Sequence, residues 1–212
     1  GGGPARAGCR YPGNVPQRGQ PVHRILRKRA ARRTILGYDA RFHTARQRRG
    51  TMQNIDLICV GKLNASYFAE GVAEYQKRLG GFCRFRILEL PEAPLPDKNV
   101  NQAQIDKALE KEGKAILAAV RKGACLVALC VEGKPISSEE LAAMIARRAG
   151  SGAGDMAFVV GSSHGLSPAV KAAAHAKVSL GRITLPHQLA RLVLVEQLYR
   201  ACTINAGMKY HK

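Results

Sequence analysis

No two of the six cysteines (Cys9, Cys59, Cys83, Cys125, Cys130 and Cys202) form a C-x-x-C pair. The sequence therefore carries no zinc-ligand pattern and no disulfide framework, and four of the six lie inside apolar runs, where small core residues belong. That usage points to a reducing, cytoplasmic setting and to no metal. No apolar run approaches the length that spans a bilayer, and no signal-peptide core precedes the first apolar strand, so nothing directs the chain through a membrane. Acid is scarce: 15 Asp and Glu stand against 34 Lys and Arg, a formal net charge of +19 over 212 residues. Such an imbalance favours a phosphate-rich partner over neutral metabolites alone, without separating RNA from DNA or from an anionic membrane.

The charge that is present is unevenly placed. Residues 1–51 hold 13 of the basic residues and one of the acids, Asp39. Their mixture of Gly, Pro and Arg has no apolar period and predicts a disordered leader. Its lack of serine before Ser66 is unlike a transit peptide. It reads either as an RNA-binding arm or, the preferred reading, as an artefact upstream of a start at Met52. Residues 52–212 then form one domain.

From Met52 onward, strand and helix patterns alternate. An apolar strand over Ile55 to Val60 is followed by a helix over Asn64 to Leu79 that puts Tyr67, Phe68, Val72, Tyr75 and Leu79 on one face. A strand over Phe85 to Leu90 and a Pro-rich loop lead to a helix over Gln102 to Lys122, whose charged face is expected to be solvated. Cys125 to Val131 is apolar throughout and suits a central strand covered on both faces, with Glu132 to Pro135 turning out of it. Ser137 and Glu140 have capping-box spacing for the next helix. Met156 to Val160 follows as a buried strand. The order βαβαβαβαβα with short links predicts an α/β fold, a mostly parallel sheet with helices on both faces, and a ligand site at the carboxyl ends of the strands.

The loop Gly161-Ser162-Ser163-His164-Gly165 after that last strand has no glycine at 163, as a dinucleotide fingerprint would need, and no Lys-Ser/Thr, as a phosphate loop would. It does match G-x-S-x-G, with Ser163, Glu196 and His211 in hydrolase order. An elbow serine leads straight into a helix, however, whereas Ser167 and Pro168 are a cap and first-turn residue that start the helix four residues later. A second glycine corner follows at Leu180-Gly181-Arg182, and then Thr184 to Gln188 and a helix apolar nearly all round. Glu196 inside that helix needs a partner, for which Arg200 and Arg191 are candidates. Such a helix suits a dimer interface. The terminal Tyr210-His211-Lys212 combines a stacking ring, a group that titrates near neutrality and a cation, all suited to a nucleotide.

Taken together, Phe158 to Gly161, Gly165 to Pro168, Thr184 to Gln188, Arg191 to Ala201 and Tyr210 to Lys212 strongly resemble the bacterial ribosomal RNA large subunit methyltransferase H family of the SPOUT superfamily. Val60-Gly61-Lys62, Glu74 to Leu79, Lys111-Glu112-Gly113 and Glu132-Gly133-Lys134 match as well, so the likeness runs from Met52 to Lys212. The resemblance implies a SPOUT-type α/β knot, with a C-terminal trefoil knot, acting as a homodimer. It implies S-adenosylmethionine as cofactor and methylation of ring N3 of a pseudouridine in 23S ribosomal RNA on assembled ribosomes. By position, cofactor contacts fall on Leu129, Gly161, Leu180, Gly181, Arg182, Ile183, Thr184 and Leu185. Ser162 replaces the second glycine usual in the family and fits if its φ stays negative. His211 is the candidate for removing the N3 proton, and Tyr210 and Arg191 for positioning the base or its phosphates. The rival from another class is a ribosome- or RNA-binding protein that keeps the fold without turnover, and the hydrolase reading comes third.

Overall fold

The computed structural model describes residues 52–96, 98–151 and 154–211, so the expectation of a disordered leader lies outside the described residues. The elements alternate as expected: β1 (Asn54–Val60), α1 (Ser66–Leu79), β2 (Arg84–Leu90), α2 (Gln102–Ala119), β3 (Cys125–Pro135), α3 (Ser138–Gly150), β4 (Met156–Val160), α4 (Pro168–Ala173), β5 (Ala176–Ser179) and α5 (His187–Asn205). The local signals set the boundaries. Ser137 and Glu140 close a reciprocal capping box at α3, and the Ser167 hydroxyl accepts the Val170 N–H with Pro168 in the first turn of α4. α2 starts on a second capping box, Asn101 with Gln104.

The sheet runs β2-β1-β4-β3-β5, and every pairing between these strands is parallel. β3 is an interior strand covered on both faces, as expected, but the middle place is taken by β4, all five of whose residues are buried. β3 also runs longer than its apolar run suggests. Past a register shift between Leu129 and Lys134 it pairs again with β5, so the segment expected to turn away at Glu132 to Pro135 continues as strand.

Successive residues of each strand face opposite layers. Leu57, Cys59, Phe158 and Val160 join Val72 and Leu79 of α1, Ile145 of α3 and Leu194 and Leu198 of α5 in one core. Ile58, Val60, Leu126 and Val159 meet Ile116 of α2 and Val170 of α4 in the other. Val72 and Leu79 take the inward places expected of them, but Tyr67 is 66% exposed and lies off the buried stripe. Cys59, Cys83 and Cys202 are buried core residues, and burial pushes the Cys59 thiol up to about 12. No described helix is long and apolar enough to cross a membrane.

Candidate active site

Parallel strands put all their carboxyl ends on one edge, and here that edge gathers most of the residues singled out from sequence. Leu129 is in register with Val160 of β4 on one side and Val178 of β5 on the other. Gly161 and Leu180, which follow those strands, therefore flank Leu129 one strand to each side, within about 5 Å per step. The two glycine corners lie on the same edge.

Each corner is built for its place. A Cβ on Gly161 would stand 2.1 Å from the Gly165 carbonyl oxygen, so only hydrogen fits where the loop closes through the Ser162–Gly165 bridge. Gly181 has φ +134, a conformation that side chains disfavour, and the Ser179 hydroxyl holds it by donating to its carbonyl at 2.7 Å and accepting its N–H at 3.2 Å. Beyond it, the main-chain groups of Arg182, Ile183, Thr184 and Leu185 have no hydrogen-bond partner among the described residues. Ile183 is 80% exposed, while Leu129, Leu180 and Leu185 are half-buried. Half-buried leucines on one edge with open amides and carbonyls suit an uncharged nucleoside more than a phosphate.

Ser162 is buried and keeps a negative φ, the condition for its fitting in place of glycine. Its hydroxyl donates to Glu112 of α2 at 2.9 Å, and the other oxygen of Glu112 accepts the Ala93 N–H at 2.9 Å. Glu112 is 5% exposed, so the α2 charged face is not wholly solvated: one of its acids is a buried strut for the glycine loop. Sequence periodicity had no signal for this beyond the Lys111-Glu112-Gly113 match.

The tail returns to the same corner. The Ile136 N–H donates to the Ser179 carbonyl, which places the first turn of α3 beside the end of β5. From that turn, the Glu139 carboxylate meets His211 Nε2 at 2.8 Å, while His211 Nδ1 is buried without a partner among the described residues. Glu139 stays ionised well below the usual carboxylate range because it accepts its own main-chain N–H and the Ser137 hydroxyl, with a smaller contribution from His211. The Tyr210 hydroxyl donates to Glu196 at 3.2 Å and lies 3.5 Å from the Tyr75 hydroxyl, and the ring packs edge-on to Tyr199 beneath the Arg200 guanidinium. The bond with Tyr75, and then burial, push this phenol up to about 12, so Tyr210 is a neutral donor that anchors the tail.

Arg191 lies elsewhere on the edge. It is 1% exposed, pairs with Glu89 and donates to the Gly61 carbonyl at 2.7 Å. It thus ties the ends of β1 and β2 together and is not the second partner expected for Glu196. Among the described residues the cationic partner of Glu196 is Arg200, at 2.7 Å. Gly61 and Leu180 are three strands apart, about 14 Å, so Arg191 and His211 stand at different ends of the edge. The hydrolase triad is not assembled: Ser163 contacts Glu92 at 3.4 Å, Glu196 bonds Arg200, Gln197 and Tyr210, and His211 bonds Glu139.

The family model described as predicted SPOUT methyltransferase matches residues 53–211. Among curated proteins, the ribosomal RNA large subunit methyltransferase H of Limosilactobacillus reuteri is 50% identical over 159 residues, covering 75% of this chain and 99% of that protein. The proteins of the same name from Ligilactobacillus salivarius, 49% identical over 75% of this chain and 99% of its own length, and Streptococcus uberis, 46% identical over 74% of this chain and 99% of its own length, are similar to it along the same region.

Proposed function

This chain belongs to the ribosomal RNA large subunit methyltransferase H family of SPOUT methyltransferases, and from that premise we propose that it transfers a methyl group from S-adenosylmethionine to ring N3 of a pseudouridine in 23S ribosomal RNA. The observation that supports the reading is the carboxyl edge, which carries the unsatisfied main-chain groups of residues 182–185, the half-buried Leu129, Leu180 and Leu185 and, through Glu139 at the start of α3, the terminal imidazole. The homodimer, the knotted chain path, the assembled ribosome as substrate and a cytoplasmic setting belong to the same proposal.

The residues present fit such a cofactor. Open donors and acceptors from Arg182 to Leu185 would hold the adenine and ribose, Leu129, Leu180 and Leu185 would wall them, and Gly161 would let the loop approach closely. When bound, S-adenosylmethionine supplies a sulfonium-activated methyl group. The chain's own task is to align the nitrogen with it and take the nitrogen's proton. With Glu139 accepting the Nε2–H, the lone pair of His211 lies on Nδ1, and docking of the RNA has to uncover that atom. Tyr210 holds the tail so that the imidazole stays at this corner, and Arg191 keeps the β1–β2 end rigid.

The test is transfer of labelled methyl from S-adenosylmethionine to ribosomes lacking the modification, with mass mapping of the product nucleoside. N3-methylpseudouridine is expected from the native chain, and a rate at least about 100-fold lower from His211→Ala. A wild-type rate from that variant removes His211 as the base. Absence of transfer by the native chain, with ribosome binding retained, leaves the non-catalytic binder.

A further inference from the structure

The basic excess of the described chain does not lie at the methyl-transfer edge. That edge carries Glu89, Glu92, Glu132, Glu139 and Glu140 against Lys62, Lys134, Arg182 and the buried Arg191, whose charge Glu89 balances. The cations collect at the opposite, amino edge, some 20 Å away along strands of seven residues. There Asp56 of β1, 1% exposed, is shared by two guanidiniums: Arg86 from β2 at 2.8 Å and Arg121 from beyond α2 at 2.7 Å. One carboxylate between two arginines leaves a full positive charge over, and both cations reach solvent, with side chains 47% and 35% exposed. Arg84, two residues before Arg86 on the same strand face, and Lys122 are exposed and have no ion-pair partner among the described residues.

Beside Arg121 opens a cleft of about 390 Å³ floored by Leu117, Val120, Leu126 and Ala173. His175 lies on its wall with the ring fixed: its Nδ1 accepts the Leu126 N–H at 3.1 Å, and its own main-chain N–H donates to the Leu126 carbonyl at 2.8 Å. With Nδ1 accepting, the neutral ring carries its hydrogen on Nε2, which leaves a donor free. Arginines on an edge strand guard it against pairing, and cations just past helix ends complement the helix dipole. Those roles account for Arg84 and Lys122 singly. They do not explain an apolar cleft furnished with a guanidinium and a fixed imidazole donor in the same place.

We propose that the amino edge is a second docking surface for single-stranded RNA: Arg84, Arg86 and Lys122 hold successive phosphates while the cleft beside Arg121 and His175 receives an unstacked base. Single strands are recognised in this way, by a cationic track with a stacking or hydrogen-bonding recess for a splayed base. The inference rests on RNA being the substrate, and it places part of the affinity away from the chemistry.

The probe is a dodecamer of uridylate carrying 4-thiouridine, used with the full chain. Photocross-links are expected in peptides covering residues 117–126 and 173–177. Substituting Arg84→Ala together with Lys122→Ala, neither of which touches Asp56 or the candidate active site, should lower the slope of log affinity against log salt by about 1.4, two phosphates at roughly 0.7 each. Calorimetry of S-adenosylmethionine binding, expected to be the same in the variant, reads the methyl-transfer proposal separately. Cross-links confined to carboxyl-edge peptides or to residues 1–51, or a slope that the double substitution leaves unchanged, overturn the inference.

Discussion

Gly161 and Ser162 are neighbours with opposite demands. Gly161 must have no side chain because the Gly165 carbonyl occupies that space, whereas Ser162 needs its hydroxyl because Glu112 is buried and aims an oxygen at it. Gly161→Ala should therefore shift the loop and weaken S-adenosylmethionine binding at least tenfold by calorimetry, with the fold retained. Ser162→Ala should act on stability instead, costing roughly 1–3 kcal/mol in urea unfolding because a buried acceptor loses its donor. Equal loss of ligand affinity in both variants would refute that division. The glycine was legible in the sequence as part of a loop motif. The strut was not, because Glu112 and Ser162 are 50 residues apart and Glu112 sits among charged residues that look solvated.

Among the elements, β1, β2 and the α2–β3 link are clamped together by Asp56, whose two arginines hold its carboxyl below the ordinary aspartate value against the opposing effect of burial. Its folded-state pKa is depressed, so the stability it confers is complete above the unfolded value near 3.8 and is lost as pH falls through the lower folded value. Native chain should show an acid-unfolding limb below about pH 4. Asp56→Asn should be less stable at neutral pH by roughly 2–3 kcal/mol and should flatten that limb, as read by circular dichroism. An unchanged limb would mean that other carboxylates govern acid unfolding. The starts of α3 and α4 were readable at this scale, since a cap acts within three residues. The centrality of β4 and the inward turn of Arg191 were not, because an all-apolar strand reads alike in the middle of a sheet and one place off it.

At the scale of the molecule, Val131 and Ile183 remain 70% and 80% exposed near the carboxyl edge, where a second subunit would cover them. Paired with the proposed homodimer, they lead us to expect sedimentation at twice the mass of the 22.9 kDa chain. A monomer throughout the micromolar range would refute the dimer. The amino-acid sequence by itself determined the order of the elements, their caps, the two glycine corners and the family, because each is written within a few neighbouring residues. Tertiary structure decided which side chains meet: Arg191 with Glu89, His211 with Glu139, and Asp56 with Arg86 and Arg121. Those pairings depend on strand order and on which edge each segment reaches, and charges brought together from distant segments leave no local period to read.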